Sequence, residues 1–201
     1  MSTGVDKPIQ KGWISVELHE VINNRRSVRS YTDTNVDKAI IERLLNSAIQ
    51  APSAMNSQPW AYAVIQDVTL LKEYSDRSKH FLLSLLDQVP QLNKYKAAFE
   101  NPEFNIFYNA QSLIIIFAKS KDLHSNEDCC LAAQNLMLTA HSLTLGTCWI
   151  GFARPFLNLP EVKEELNIPI AYEAIAPIIV GYPQVNPPAV PRKAPEILFW
   201  K

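Results

Sequence analysis

Arg25-Arg26-Ser27-Val28-Arg29 concentrates three of the chain's 19 basic residues in five positions, although the protein as a whole carries a formal net charge of −1. In an extended segment, successive side chains alternate faces, which puts Arg25, Ser27 and Arg29 on one side. A guanidinium is a planar, permanently charged fork that donates paired hydrogen bonds to phosphate or carbonyl oxygens. The serine hydroxyl adds another donor. The chemistry such a cluster can do is anion recognition. The simpler alternative is a solvated basic turn after a helix, and the rest of the sequence argues against it.

A second polar stretch runs from Ala51 to Trp60, where Pro52 and Pro59 bracket Ser53, Asn56, Ser57 and Gln58. Proline restricts the chain and lowers the entropy cost of holding polar groups in one arrangement. Amides and hydroxyls fixed in this way can read a heteroaromatic ring of mixed donors and acceptors. A capped turn between a helix and a strand is the competing account. The five glycines form neither GxGxxG nor a P-loop, so a bound phosphate would be held by arginines rather than by a glycine-rich turn.

Other chemistries are poorly supplied. Cys129, Cys130 and Cys148 are odd in number and lack a CxxC spacing, which gives neither a disulfide framework nor a zinc site and implies a reduced, cytoplasmic protein. Cys148 reads as a buried thiol rather than a redox centre. His19, His80, His124 and His141 stand singly, with no metal-site spacing, and read as structural or exposed. A pI near 6.4 argues against a general nucleic-acid binder. No signal-peptide core is present, and the apolar run Leu113 to Ala118 is too short to span a bilayer.

The elements that must position these groups follow from periodicity. At 201 residues and 47% hydrophobic, the chain suits one domain with a substantial core. Residues 1–12 read as a loose leader. Ser15 is expected to cap a short helix that carries Val16, His19 and Val21 or Ile22 and ends near Asn23-Asn24, so the arginines sit at a helix exit. Asp37 opens a helix with Ile40, Ile41, Leu44, Leu45 and Ala48 at three- and four-residue spacing. Strands are expected near 29–31, 60–66, 112–118, 147–150 and 173–180. A helical pattern covers Thr69 to about Asn101, broken at Pro90. Ser125 and Asp128 form a capping-box signature for a nearly all-apolar central helix that reaches about Leu145, with Gly146 as its stop. Pro160 starts a small helix. From Pro183 onward, five prolines in nineteen residues mark an extended tail ending in Phe199-Trp200. Strands separated by helices give an α/β-layered, α+β class.

In order and spacing, these pieces resemble the nitroreductase family from about residue 16 to residue 193. The resemblance is carried by Arg25-Arg26-Ser27-Val28-Arg29, by Ala51-Pro52-Ser53 with Asn56, Gln58, Pro59 and Trp60, and by Leu131-Ala132-Ala133-Gln134-Asn135-Leu136. Leu145-Gly146-Thr147-Cys148-Trp149-Ile150-Gly151 and Val180-Gly181-Tyr182-Pro183 complete it. It implies a nitroreductase-like fold, with a central mixed sheet flanked by helices and a tail (183–201) embracing the partner subunit. It further implies an FMN-dependent, NAD(P)H-oxidising enzyme that is a homodimer with FMN at the interface.

By the same resemblance, Arg25, Arg26 and Ser27 would hold the phosphate and ribityl chain, and Arg29 the N1–C2 edge of the flavin. Pro52, Ser53, Ala54, Asn56 and Gln58 would approach from the partner. Trp149, Ile150 and Gly151 would line the ring near N5, and Arg192 with Lys193 would close on the phosphate. Met55, Phe104, Phe107 and Tyr108 are candidates to face a substrate, with core packing the favoured role for most of them. The basic side chain that the family often carries after the strand at Trp60 has no match. Beside a reductase of nitroaromatics or quinones stand a family relative acting on flavin or halogenated substrates, an FMN-binding sensor or storage protein, and, weakest, an RNA-binding module.

Overall fold

The computed structural model describes residues 17–201, so the expected leader and the Ser15 cap lie outside the described residues. The elements in order are α1 (Leu18–Asn24), α2 (Lys38–Ala48), β1 (Trp60–Ile65), α3 (Val68–Ser84), α4 (Lys96–Glu100), β2 (Ser112–Ala118), α5 (Ser125–Ser142), β3 (Gly146–Trp149), α6 (Ala153–Leu157), α7 (Pro160–Glu165) and β4 (Glu173–Gly181). Single 3₁₀ segments occupy Ala54–Asn56 and Pro90–Tyr95.

The strands form one sheet in the order β1-β2-β4-β3, with each neighbouring pair antiparallel. Among the described residues, a parallel element enters only through an isolated bridge between Ser27 and Thr147. β2 is buried along its whole length because the sheet is covered on both faces, which is why its sequence is a continuous apolar run rather than an alternating one. Its side chains divide by pleat. Ile114 and Ile116 join Ile41, Leu44, Leu136 and Ala140 in one core. Leu113, Ile115 and Phe117 join Leu71, Tyr74, Phe156 and Leu157 in the other. Two helical layers therefore sandwich the sheet, with α2 and α5 on one face and α3 and α6 on the other. Ala132, Ala133 and Ala140 are fully buried on α5, and their small side chains let it lie close to the sheet.

Local expectations fail where tertiary contacts take over. Residues 29–31 form no strand and keep only the Tyr31–Pro183 bridge. The stretch after Pro90 is a 3₁₀ segment followed by a short helix, and α6 has no periodic signal because Pro155 interrupts it. Gly146 does not stop α5. Thr144 takes the left-handed position (φ 62°), with the Thr144 N–H donating to the His141 carbonyl at 3.0 Å and the Leu145 N–H to the Ala140 carbonyl at 2.9 Å. That pairing closes the helix as a glycine would.

Gly146 instead begins β3 and stands in register with Gly181 of β4. A Cβ on Gly146 would come within 2.7 Å of the Val28 Cβ, and one on Gly181 within 2.8 Å of the Tyr31 ring. These two glycines let residues 28–31 lie against the end of the sheet. Gly146→Ala is therefore expected to cost about 1–3 kcal/mol in urea unfolding, as overpacked cores do. It should also move the arginine segment, because the atom it strikes is the Cβ next to the backbone. An unchanged midpoint would show that Val28 can yield.

Candidate functional site

The segment after α1 is pinned at both ends. The Arg25 N–H caps α1 by donating to the Val21 carbonyl at 3.0 Å, and the Val28 N–H donates to the Thr147 carbonyl at 2.9 Å. The Tyr31 hydroxyl donates to the Val28 carbonyl at 2.8 Å. Burial pushes this phenol far above its usual value, so it remains a donor. Further on, the Thr32 N–H donates to the Tyr182 carbonyl at 2.9 Å and the Gln184 N–H to the Ser30 carbonyl at 3.0 Å, which ties the start of the tail to the same segment.

So held, the five residues border two cavities. One, of about 400 Å³, is lined by Arg25, Arg26, His141, Ser142, Thr147 and Asn186, among others. Arg26 Nη1 donates to the carbonyls of Asn23 (2.7 Å) and Arg25 (2.9 Å), which fixes its side chain. Burial, then the charges of Arg192 and Arg26, push Arg25 below the usual guanidinium value. Among the described residues, no carboxylate lies within ion-pair distance of Arg25, Arg26 or Arg192. Clustered cations without a counter-charge in a concave site call for an anion.

The second cavity, of about 250 Å³, is lined by Arg29, Tyr108, Cys148, Trp149, Ile150, Gly151 and Phe152. Its walls are aromatic and aliphatic, and its charge is the Arg29 guanidinium, 5.8 Å from the Tyr108 ring centroid. A shallower hollow lined by Ser27, Arg29 and Ser30 adjoins Arg29. Arg25, Ser27 and Arg29 all act on Cys148, as an extended segment with alternating faces requires. Burial nevertheless outweighs them and raises the thiol above its usual value, so Cys148 is a buried thiol and not a thiolate.

The loop from Pro52 to Gln58 lies elsewhere: neither arginine cavity is lined by any of its residues. Met55 (φ 52°), Asn56 (φ 53°) and Gln58 (φ 47°) are all left-handed, a conformation that costs roughly 1–2 kcal/mol per non-glycine residue. Hydrogen bonds hold it there. The Ala54 N–H donates to both carboxylate oxygens of Asp128 at 3.2 Å, the Gln58 N–H donates to Ser53 Oγ at 3.1 Å, and Gln58 Nε2 donates to Asn56 Oδ1 at 3.1 Å. Asp128 is thus not a capping-box residue. α5 starts without a side-chain cap, and the buried carboxylate is spent on the loop.

Of the residues singled out in the sequence, the chain itself gathers Arg25 and Arg26 at one cavity and Arg29, Trp149, Ile150 and Gly151 at the other. Arg192 reaches the first group through its field on Arg25, while Lys193 is exposed and lines neither cavity. Phe107 is fully buried core, Tyr108 lines the aromatic cavity, and Met55 is 99% exposed. Sequence reasoning missed His141, Asp128 and Phe152. His141 and Asp128 are single residues on a helix whose neighbours are decided by packing. The only local sign for His141 is its place in the last turn of α5, where the helix dipole favours a cation.

The sequence model of the Nitroreductase family matches residues 22–182. The chain belongs to the nitroreductase family. The FMN reductase (NADPH) of Bacillus subtilis is 31% identical over 196 residues, covering 87% of this chain and 70% of that protein. The iodotyrosine deiodinase of Thermotoga neapolitana is 28% identical over 185 residues, covering 87% and 93%. A nitroreductase with bound FMN from Bacteroides fragilis superposes with a TM-score of 0.82 at 24% identity, over 93% of this chain and 100% of that one, which shows the fold. The nitroreductase-like α+β architecture expected from the sequence is therefore the observed one.

In this nitroreductase-family chain the loop lock is testable without any ligand. Asp128→Ala leaves the Ala54 N–H without its acceptor. It should lower stability by about 1–3 kcal/mol in urea and speed hydrogen exchange at the Ala54 amide. Asp128→Asn, which keeps one oxygen, should lose less. Unchanged exchange at Ala54 in the alanine variant would show that the loop holds itself.

Proposed function

We propose that this chain is an FMN-dependent oxidoreductase that oxidises NAD(P)H and reduces a nitroaromatic, a quinone or a similar acceptor. The observation that carries the reading is that one short segment borders both cavities, with unpaired cations at one end and a single guanidinium beside aromatic walls at the other. This arrangement fits an elongated ligand with an anion at one end and a flat polar ring at the other, as FMN is. Named relatives support it: a Bacillus subtilis FMN reductase and a Bacteroides fragilis nitroreductase with bound FMN.

When bound, FMN would supply the redox chemistry that links NAD(P)H oxidation to reduction of the acceptor. The chain's own residues bind, orient and bias. Arg25, Arg26 and Ser27 would hold the phosphate and ribityl chain, with Arg192 and Lys193 closing from the tail. Arg29 would place a fixed positive charge at the N1–C2 edge of the ring, favouring its anionic form over the neutral one. Trp149, Ile150 and Gly151 would line the ring and, with Phe152, exclude water from it.

Homodimerisation belongs to the same reading. Pro52, Ser53, Ala54, Asn56 and Gln58 lie away from their own chain's cavities, in a loop that holds Asn56 and Gln58 left-handed, which fits a role at the flavin of a partner subunit. The tail exposes Leu198, Phe199 and Trp200, each at least 80% accessible, as apolar surface for a second copy to cover. One domain would span the chain. The three free cysteines fit a cytoplasmic location. No helix among the described residues is long and apolar enough to cross a membrane. A relative named iodotyrosine deiodinase makes halogenated aromatics the acceptor class to test beside nitroaromatics.

The protein is expected to purify yellow, with about one FMN per subunit, and to oxidise NAD(P)H when a nitroaromatic is added. It should sediment as a dimer that loses FMN as it dissociates. FAD, or no flavin after reconstitution, would overturn the assignment, and a monomer that keeps its FMN would overturn the interface.

The arginines should separate by role. Arg25→Ala is expected to weaken FMN binding by about 1.5–3 kcal/mol, roughly 10- to 150-fold, through lost charge-assisted hydrogen bonds. Arg29→Ala should cost less affinity for oxidised FMN but lower the flavin midpoint potential in spectroelectrochemistry. Equal affinity losses with no change in potential would assign both residues to the phosphate.

A further inference from the structure

The cationic cavity holds one ionisable group that the proposed function leaves without a role. His141 sits half-buried in the last turn of α5 and lines the cavity together with Arg25 and Arg26. The charges that act on it are those two arginines, both at the exit of α1. Among the described residues, the other walls of the cavity carry no charge: β3 contributes Thr147, and the tail contributes Pro183, Asn186 and Pro187. Arg192 acts on Arg25 from farther along the tail, and α2, although it packs along α5, contributes no side chain to the cavity.

In the free protein this environment disfavours a third cation. Burial, then Arg25, then Arg26, hold the imidazole below its usual value, so His141 is neutral around neutral pH. A phosphomonoester dianion between the arginines offsets their two charges and removes the repulsion that opposes a proton on His141. The carbonyls at the C-terminal end of α5 already favour a positive charge there.

We propose that His141 is the proton-linked member of the phosphate site: a phosphomonoester dianion enters beside Arg25 and Arg26, and the His141 imidazole takes up a proton from solvent as it binds. This rests on the reading of the cavity as the FMN phosphate site. No covalent bond changes. The complex gains one dianion and one proton, and the imidazolium adds an N–H donor and a positive charge facing the anion.

The linkage has a definite sign. A group whose pKa is raised in the complex contributes affinity that is fully present below its free value and lost as pH rises through its bound value. His141 starts below the usual imidazole value and rises on binding, so FMN should be held more tightly on the acid side and released progressively above neutrality. A phosphomonoester loses its second proton near pH 6, so above about pH 7 its own titration contributes little to the slope.

The test uses the flavin-loaded protein. Serial dilution at a series of pH values between about 7 and 8.5, with released FMN read by fluorescence, gives Kd at each pH. The wild type is expected to weaken by up to about tenfold per pH unit over part of this range. His141→Gln should bind more weakly at the acid end and show almost no slope. His141→Asn serves as the second variant should the glutamine protein fail to fold by circular dichroism. A pH-independent Kd in the wild type, or an equal slope in the variants, overturns the proton-linked role while leaving FMN binding in place. A protein that holds no FMN at any pH overturns the reading of the cavity itself, and this inference with it.

Discussion

The contact of Val28 with Gly146 is the constraint on which the site depends. A side chain at residue 146 would occupy the space that the Val28 Cβ and both its methyl groups now fill. Gly181, directly across the β3–β4 pair, performs the same service for Tyr31. With both positions bare, a segment that is neither helix nor strand can lie against the end of the sheet and donate backbone hydrogen bonds to the carbonyls of Thr147 and Tyr182. The side chains between and beside these anchors are Arg25, Arg26, Ser27 and Arg29. The backbone that carries them is set by an apolar residue wedged against a sheet, and Arg26 is fixed further by its own hydrogen bonds to the Asn23 and Arg25 carbonyls.

That mechanical anchoring permits an arrangement that would otherwise be unstable. Arg192 and Arg26 both repel Arg25, among the described residues no carboxylate lies within ion-pair distance of them, and His141 stands beside Arg25 and Arg26. Each such group disfavours its neighbours' charge, so the free site stores unfavourable electrostatics that an anionic ligand relieves. The core bears the cost: two apolar layers clamp the sheet, and β2 contributes alternate side chains to both. The loop at residues 53–58 follows the same logic with a different fastener. Three left-handed residues are tolerated because the carboxylate of Asp128, fixed on the central helix, accepts the Ala54 N–H with both oxygens.

α5, which supplies the carboxylate, packs on one face of the sheet, while Val28 and Tyr31 join the core on the other. The N-terminal end of α5 supplies Asp128 to the loop, and its C-terminal end supplies His141 to the cationic cavity. Asp128 and His141 are 13 residues apart on α5, and a helix rises about 1.5 Å per residue, so they stand roughly 20 Å apart along its axis. The loop and the cavity of one chain are thereby kept at opposite ends of one rigid rod. Within a single chain they are not neighbours, and no residue of the loop lines either arginine cavity.

Much of this was legible in the sequence alone. Periodicity placed α2, β1, β2, α5 and β4 to within a few residues, because in each the spacing of apolar side chains is the force that builds the element. Local composition likewise marked the arginine cluster and the bracketed loop, whose functional groups are contiguous. Tertiary structure decided what depends on partners far along the chain. Gly146 reads as a helix stop until Val28 is seen against it, and Thr144 reads as nothing until it is found closing α5. Ser125 and Asp128 have capping-box spacing, yet the carboxylate is drawn 74 residues back to the Ala54 N–H, a donor that periodicity cannot locate. His141 has no motif at all. Its meaning comes from Arg25 and Arg26, which are brought to it when α1 and α5 pack, and a lone imidazole acquires a role only from the charges that the fold sets beside it.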